Sequence, residues 1–173
     1  MTRLGRMGLG GCVIALVFLQ GCQTNENRVR EIVRDELSNA MKRSAITDAY
    51  TVGPYSPAIR LGDFLFVSGQ IGINQQTGVL ENESFEAETR QALDNVMMIL
   101  RNVGFDSSDV VSATIFLKDM DDYAKMNLVY GGYFPEGNFP ARSTVQVAAL
   151  PRDARVEISV IAHKSQWDKA RKE

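Results

Sequence analysis

The order of hydrophobic patterns predicts an α/β fold, in which one mixed β-sheet has two helices packed on one face. Strand-like segments with alternating apolar residues recur along the chain, and two amphipathic helical segments separate them. The strand–helix–strand units imply parallel pairings with right-handed crossovers, beside an antiparallel hairpin. The other face of the sheet has no helix to cover it, so an oligomer that buries sheet against sheet is expected.

The first strands are predicted in an extended segment and a hairpin. Pro54 and Pro57 keep residues 51–61 extended, because each proline moves its preceding residue out of the helical region. A turn then leads into a strongly β-prone run at residues 64–73. Gly69 would weaken a regular strand, so it indicates a bulge or a close approach of the backbone to another group.

Two helices alternate with the next strand. Ser84 is predicted to cap the first helix and Gly104 to end it, while Glu88 in the first turn complements the helix dipole. A strand with alternating apolar residues is predicted over residues 109–118. The second helix begins at about residue 119 or 121 and ends near two glycines and a proline.

Two period-two segments end the domain, and each contains a charged residue among apolar neighbours. Glu157 lies in a strand whose other face is apolar, and Arg142 lies in the candidate neighbouring strand. A carboxylate in such a strand is expected to be paired, hydrogen-bonded or functional. The two residues are therefore either a structural ion pair or part of a site. Arg142, Thr144 or their neighbours are expected on the uncovered face of the sheet.

Composition excludes several functional classes. The net charge is −2 with 23% charged residues, which gives no electrostatic basis for nucleic-acid binding. Both cysteines lie at or before position 22, so the domain cannot contain a disulfide framework or a cysteine-based zinc site. A single histidine excludes most histidine-ligated metal sites. Neither a GxGxxG nor a P-loop motif occurs, so no metal and no cofactor are predicted.

Residues 1–21 are interpreted as a lipoprotein-type signal peptide. Arg3 and Arg6 precede an uncharged stretch that is too short to span a membrane comfortably. The stretch ends in Leu-Gln-Gly-Cys, which resembles the lipobox of bacterial lipoproteins and makes Cys22 the lipidated residue. The predicted location is the bacterial cell envelope, lipid-anchored and facing the periplasm. Gln23 after the cysteine favours the outer membrane, and an uncleaved signal anchor is the alternative.

Three further segments complete the predicted organisation. Residues 22–44 form a tether with a short amphipathic helix. This helix packs on the domain, on the membrane surface or on copies of itself as a coiled coil, or it acts as a solvated spacer. Residues 45–165 form the folded domain, and residues 166–173 form a polar C-terminal tail. The helical stripe consists of Val29, Ile32, Val33, Leu37, Ala40 and Met41.

Several separated motifs identify a resemblance over residues 45–163. They are Gly-Pro-Tyr-Ser-Pro-Ala from position 53, Val-Ser-Gly-Gln-Ile from 67, Gln-Ala-Leu-Asp-Asn from 91, the strand from 111, and Pro-Ala-Arg-Ser-Thr-Val-Gln-Val from 140 followed by Val-Glu-Ile. Together they resemble the RidA/YjgF family of imine and enamine deaminases. The resemblance implies a chorismate-mutase-like fold and a homotrimer with ligand clefts between subunits.

The resemblance also implies roles for individual residues. Arg142 would bind the carboxylate of a 2-imino or 2-enamino acid through its two-pronged guanidinium. Glu157 would position the attacking water and transfer its proton. The implied reaction is hydrolytic deamination to a 2-keto acid and ammonia, without a cofactor. The alternative is a non-catalytic small-ligand-binding or holdase-like trimer tethered to the cell envelope.

Five more residues are implied to contact the substrate. Tyr55 and Asn127 would line the cleft, and the backbone at Ser68 and Gly69 would approach the ligand. Thr144 occupies a position that is often cysteine in this family, and its backbone amide can still bind a carboxylate.

Overall fold

The computed structural model describes residues 25–38 and 41–164. The predicted signal peptide, Cys22 and the polar C-terminal tail lie outside the described residues. Contacts divide the chain into two units, one up to Lys42 and one from Arg43 onwards. In the first unit residues 25–38 form a helix, α1, and its apolar residues Val29, Ile32, Val33 and Leu37 are exposed. None of the described helices is both long and apolar enough to cross a membrane.

Within residues 43–164, the second unit contains six strands and two α-helices. The strands are β1 (Arg43–Ile46), β2 (Ala58–Leu61), β3 (Phe64–Ile71), β4 (Val110–Leu117), β5 (Ala141–Gln146) and β6 (Val156–His163). The helices are α2 (Phe85–Asn102) and α3 (Tyr123–Gly131), and short 3-10 turns precede β4, α3 and β6.

All six strands belong to one mixed sheet in the order β1-β2-β3-β6-β4-β5. Only β4 and β5 pair in parallel, and every other pairing is antiparallel. The predicted single mixed sheet with two helices on one face is therefore confirmed. The first strand was not predicted, and most of the extended segment before Ala58 lies outside the sheet.

The last strand, β6, lies between β3 and β4. It pairs with β3 on one side and with β4 on the other. The predicted parallel pairing across a helix is therefore found for β4 and β5 alone. The strands β3 and β4 run in the same direction, because both are antiparallel to β6, but they do not touch. Alternate residues of β6 are buried, as its period-two pattern predicts.

Both helices pack on the same face of the sheet. Ala92, Leu93, Val96, Met97 and Leu100 of α2 and Met126 of α3 join the buried residues of the sheet in one core. Ser84 caps α2, because its side chain accepts a hydrogen bond from the Ala87 amide. Gly104 follows the helix with φ at +80°, a conformation that glycine adopts without strain.

The opposite face of the sheet is open and includes exposed apolar side chains. Phe64 and Phe66 of β3 are 43% and 41% exposed, and Val145 of β5 is 44% exposed. Ser143 and Val145 alternate with Arg142 and Thr144, and they are the β5 residues on this open face. The expectation that Arg142 and Thr144 occupy it is wrong: they are aligned with buried Ala113 and Ile115 of β4, so they point toward the helices.

Candidate functional site

A β-bulge near the end of β3 positions Ser68 and Gly69. The pairing of β3 with β6 shifts register between Val67 and Gln70, which leaves these two residues outside the regular ladder. The Ser68 amide donates to the Pro57 carbonyl at 2.9 Å, and its hydroxyl donates to the Ser56 carbonyl at 2.8 Å. Both Ser68 donors are thus used within the domain, and the residue anchors the preceding loop.

Gly69 lies directly beneath the carboxylate of Glu157. A Cβ at position 69 would collide with Glu157 Oε1 and would lie 2.6 Å from Glu157 Cδ. Glu157 itself is aligned with Ile71 of β3 and Phe116 of β4, which places its side chain on the open face of the sheet. Only glycine allows this approach, which is the close contact that the sequence indicates at this position.

The Glu157 carboxylate lines a cleft of about 260 Å³. The wall of this cleft includes Tyr55, Ser68 and Gly69, so the structure brings three predicted site residues together with the predicted water-positioning residue. Burial raises the pKa of the Glu157 carboxyl, and within the described part of the chain no cation opposes that effect. A carboxyl group whose pKa is raised by burial holds its proton more readily than an exposed one, which is a property of proton-transferring groups.

Arg142 lines a separate cleft of about 410 Å³ beside α3. Its Nη2 donates to Asn127 Oδ1 at 2.7 Å and to the Tyr123 hydroxyl at 3.3 Å. The guanidinium also lies over the Tyr130 ring, 4.6 Å from the ring centroid. These contacts orient the guanidinium before any ligand binds. Asn127 therefore acts on Arg142 in addition to lining the cleft.

Tyr123 and Tyr130 both contact Arg142, and neither was predicted from the sequence as a site residue. With Asn127 they occupy positions i, i+4 and i+7 of α3, which places all three on one face of the helix. This helical spacing is the sequence pattern from which the two tyrosines could have been predicted to lie beside Asn127. Hydrogen bonds from Asn127 and then from Arg142 lower the pKa of the Tyr123 hydroxyl, whereas burial raises the pKa of Tyr130 to about 12.

Thr144 lies two residues after Arg142 and faces the same side of the sheet. Its Oγ1 is buried and has no hydrogen-bond partner within the described residues. It belongs to β5, an outermost strand of the sheet, so one side of the β5 backbone has no paired strand among the described residues. No Thr144 contact with either cleft is seen, and the predicted role of its amide stays a prediction.

Arg142 and Glu157 do not meet within one chain. The strand β4 lies between β5 and β6, so the expectation that the two residues occupy neighbouring strands is wrong. Two strand spacings amount to about 10 Å, and the residues also point to opposite faces of the sheet. A structural ion pair between them is therefore excluded within the chain, and each residue lines its own cleft.

The fold is a single-sheet α/β domain with one cleft lined by the Glu157 carboxylate and another lined by the Arg142 guanidinium. The chain belongs to the family described as endoribonuclease L-PSP, whose model matches residues 45–164. A RutC family protein of Pyrococcus horikoshii is 48% identical over 65% of this chain and 89% of its own length. The 2-iminobutanoate/2-iminopropanoate deaminase of Escherichia coli is 43% identical over 64% of this chain and 88% of its own.

A solved structure agrees with the sequence relatives. The E. coli TdcF structure with bound serine matches with a TM-score of 0.65 and 38% identity, over 68% of this chain and 93% of that one. The predicted family is confirmed by these similarities.

Proposed function

We propose that this domain hydrolyses 2-imino and 2-enamino acids to 2-keto acids and ammonia. The observation that supports this most is the half-buried Glu157 carboxylate above Gly69, which has a raised pKa and no cation beside it in the described residues. The environment of this carboxylate fits a proton-transferring group. A relative with 43% identity is named as a deaminase of such imines.

The chemistry requires a positioned water, a proton acceptor and an anchor for the substrate. Arg142 binds the substrate carboxylate through two parallel hydrogen bonds. Glu157 accepts a proton as the water oxygen bonds to the iminium carbon, and the C=N π electrons move to nitrogen. Glu157 then returns the proton to the nitrogen of the carbinolamine. The C–N bond breaks, ammonia leaves, and loss of the hydroxyl proton produces the 2-keto acid.

The proposed active unit is a homotrimer. Arg142 and Glu157 are too far apart in one chain to contact the same small molecule, so each site combines Arg142 of one subunit with Glu157 of its neighbour. The open apolar face that includes Phe64, Phe66 and Val145 supplies surface for subunit contact. The number three follows from the family resemblance. Sedimentation analysis is expected to give three times the chain mass of 19.2 kDa.

An activity assay tests the reaction itself. An amino-acid oxidase generates the imino acid in place, and keto-acid formation is followed with and without the domain. Acceleration for several side chains supports the proposal, and Arg142→Ala is expected to remove it. Ligand binding without turnover would favour the non-catalytic binding protein instead.

The family description names a ribonuclease, but a net charge of −2 and a single histidine give little support to RNA cleavage as the function.

Subunit mixing tests the shared site. Arg142→Ala and Glu157→Ala chains are each expected to be inactive alone. When they are co-expressed in equal amounts, roughly a quarter of the sites combine an intact Arg142 with an intact Glu157 from the neighbouring chain. Recovery of about that fraction of activity supports the shared site. No recovery, from mixed trimers demonstrated by mass spectrometry, would contradict it.

We also propose that the protein is exported and lipid-anchored through Cys22, at the outer membrane and facing the periplasm. The support is the basic start, the short uncharged stretch and the Leu-Gln-Gly-Cys segment. Labelling of cells with a palmitate analogue is expected to mark the full chain and to fail with Cys22→Ala. Equal labelling of both forms would refute the anchor.

A further inference from the structure

Gln70 is a polar residue on the buried face of the sheet. It is aligned with Ile158 of β6, which belongs to the core, so its side chain lies on the side of the helices and is only 6% exposed. An amide group buried there is unfavourable unless it is hydrogen-bonded. Its Nε2 donates to the Ser68 carbonyl at 3.0 Å and to the Gly69 carbonyl at 3.2 Å. The Gln70 amide therefore binds both residues of the β-bulge.

These two hydrogen bonds restrain the bulge backbone. Ser68 and Gly69 lie outside the regular ladder with β6, so strand pairing does not fix their carbonyl groups. Ser68 is also held by its amide and its hydroxyl, which donate to the loop before β2. Gly69 has no side chain to anchor it, and glycine adopts a wide range of backbone conformations. The conformation of Gly69 therefore depends more strongly on the bond from Gln70.

The bulge backbone lies between the Gln70 amide and the Glu157 carboxylate. Glu157 is on the open face of the sheet, and its carboxyl group lies so close to Gly69 that a Cβ there would be 2.6 Å from Glu157 Cδ. Gln70 binds the Gly69 carbonyl from the opposite face. A change at the Gln70 amide thus reaches Glu157 through the backbone of Gly69.

We propose that Gln70 is a positioning residue, which holds the backbone of Gly69 against the Glu157 carboxylate and so fixes the location of the proton acceptor. This inference rests on the proposed function, in which Glu157 accepts a proton from the attacking water. Without the Gln70 amide, two carbonyl groups lose their donor, and the bulge relaxes toward conformations in which they find another. The carboxylate is displaced with the bulge, whereas Arg142 lies in the other cleft and still binds the substrate.

Gln70→Met tests this role in the full chain, because methionine has a similar length and lacks both donors. A displacement of about 1 Å at a reacting group can lower the rate about 100-fold, so kcat is expected to fall about 10- to 100-fold. KM is expected to change little, since Arg142 is unaffected. Thr89→Val is the control, because it removes a buried hydrogen bond to the Phe85 carbonyl from a residue that lines neither cleft. The control should lower the free energy of unfolding in urea and keep the wild-type kcat.

Gln70→Glu provides a pH-dependent rescue. A protonated carboxyl group still donates one hydrogen bond to a bulge carbonyl, whereas a carboxylate donates none. The kcat of this variant relative to that of the wild type is therefore expected to rise as the pH is lowered, over a range in which circular dichroism shows both proteins folded. A purely structural role predicts a constant ratio. The same variant decides the question if Gln70→Met does not fold.

NMR titration of the Glu157 carboxyl carbon gives a readout that needs no turnover. Gln70→Met is expected to shift the pKa of Glu157, because the carboxyl group leaves its present surroundings, and Thr89→Val should leave it unchanged. A wild-type kcat in Gln70→Met would overturn the positioning role while the deaminase proposal stands. If the wild type hydrolyses no imino acid but the Glu157 titration shifts in Gln70→Met, the deaminase proposal fails and the positioning of Glu157 by Gln70 stands.

Discussion

The carboxylate of Glu157 lies against Gly69, in the space that a side chain on residue 69 would occupy. A side chain on residue 69 would occupy the space of the carboxyl group, since its Cβ would lie 2.6 Å from Glu157 Cδ. The bulge between Val67 and Gln70 brings the backbone to this point. Because residue 69 on the neighbouring strand has no side chain, the proposed catalytic carboxylate can occupy this position.

Gly69→Ala is therefore expected to reduce turnover without unfolding the domain. The added methyl group displaces the Glu157 carboxylate, and a displacement of about 1 Å at a reacting group can lower the rate about 100-fold. Steady-state kinetics would measure kcat, and circular dichroism would verify the fold. Gly132→Ala is the control, because its nearest neighbouring atom lies 3.6 Å from the new Cβ. Full activity in Gly69→Ala would show that Glu157 can move without loss.

The second prediction concerns the support of Arg142. Asn127→Ala removes the 2.7 Å hydrogen bond that orients Nη2. A hydrogen bond to a charged group contributes about 1.5–3 kcal/mol, so kcat/KM is expected to fall about 10- to 100-fold. Leu128→Ala is the matched control on the same helix, since Leu128 is 82% exposed. An Asn127→Ala enzyme with unchanged kcat/KM would mean that the tyrosines alone orient the guanidinium.

The local patterns in the sequence predicted both helices of the domain and every strand except β1. The alternation of β6 and the cap at Ser84 depend on neighbours in the chain, and both were predicted. The position of β6 between β3 and β4 depends on contacts distant in sequence, which periodicity does not encode. For that reason local patterns could select Arg142 and Glu157 as candidate site residues, whereas the prediction that they occupy neighbouring strands was wrong.

Glu88 also has a contact in the core that local sequence patterns could not predict. Its place in the first turn of α2 suggested a charge that complements the helix dipole, yet the residue is only 1% exposed. Its Oε1 accepts from the Arg155 amide and its Oε2 from Arg155 Nε, both at 2.6 Å. The partner lies 67 positions along the chain, so no helical pattern could identify it.

The third prediction follows from that buried pair. Glu88→Ala leaves the Arg155 amide and guanidinium without their acceptor. Breaking a buried pair costs about 3–5 kcal/mol, and the lower end is expected because the Arg155 side chain is 34% exposed. Urea unfolding at one fixed protein concentration would measure the loss. Glu86→Ala, in the same helical turn, is the control and should change the free energy of unfolding far less.

The fourth prediction concerns the pH dependence that follows from Glu157. Burial raises the pKa of this carboxyl above its ordinary value of 4.5, so the folded state binds its proton more tightly than the unfolded state does. The protonated carboxyl contributes its full stability below pH 4.5, and this contribution is lost as the pH rises through the folded-state pKa. At neutral pH the wild type therefore retains a desolvated carboxylate that Glu157→Gln removes.

Glu157→Gln is thus expected to unfold at a higher temperature than the wild type at pH 7.5, and the difference should shrink as the pH approaches 4.5. Thermal denaturation across that range would measure both curves. Ser159→Ala, a change on the same face of β6 that removes no charge, should show no such convergence. If Glu157→Gln is less stable than the wild type at neutral pH, a cation compensates Glu157 in the assembled protein. The same two unfolding curves would then be measured in an Arg142→Ala background. If Glu157→Gln is no longer the less stable form there, the cation is the Arg142 guanidinium of the neighbouring subunit.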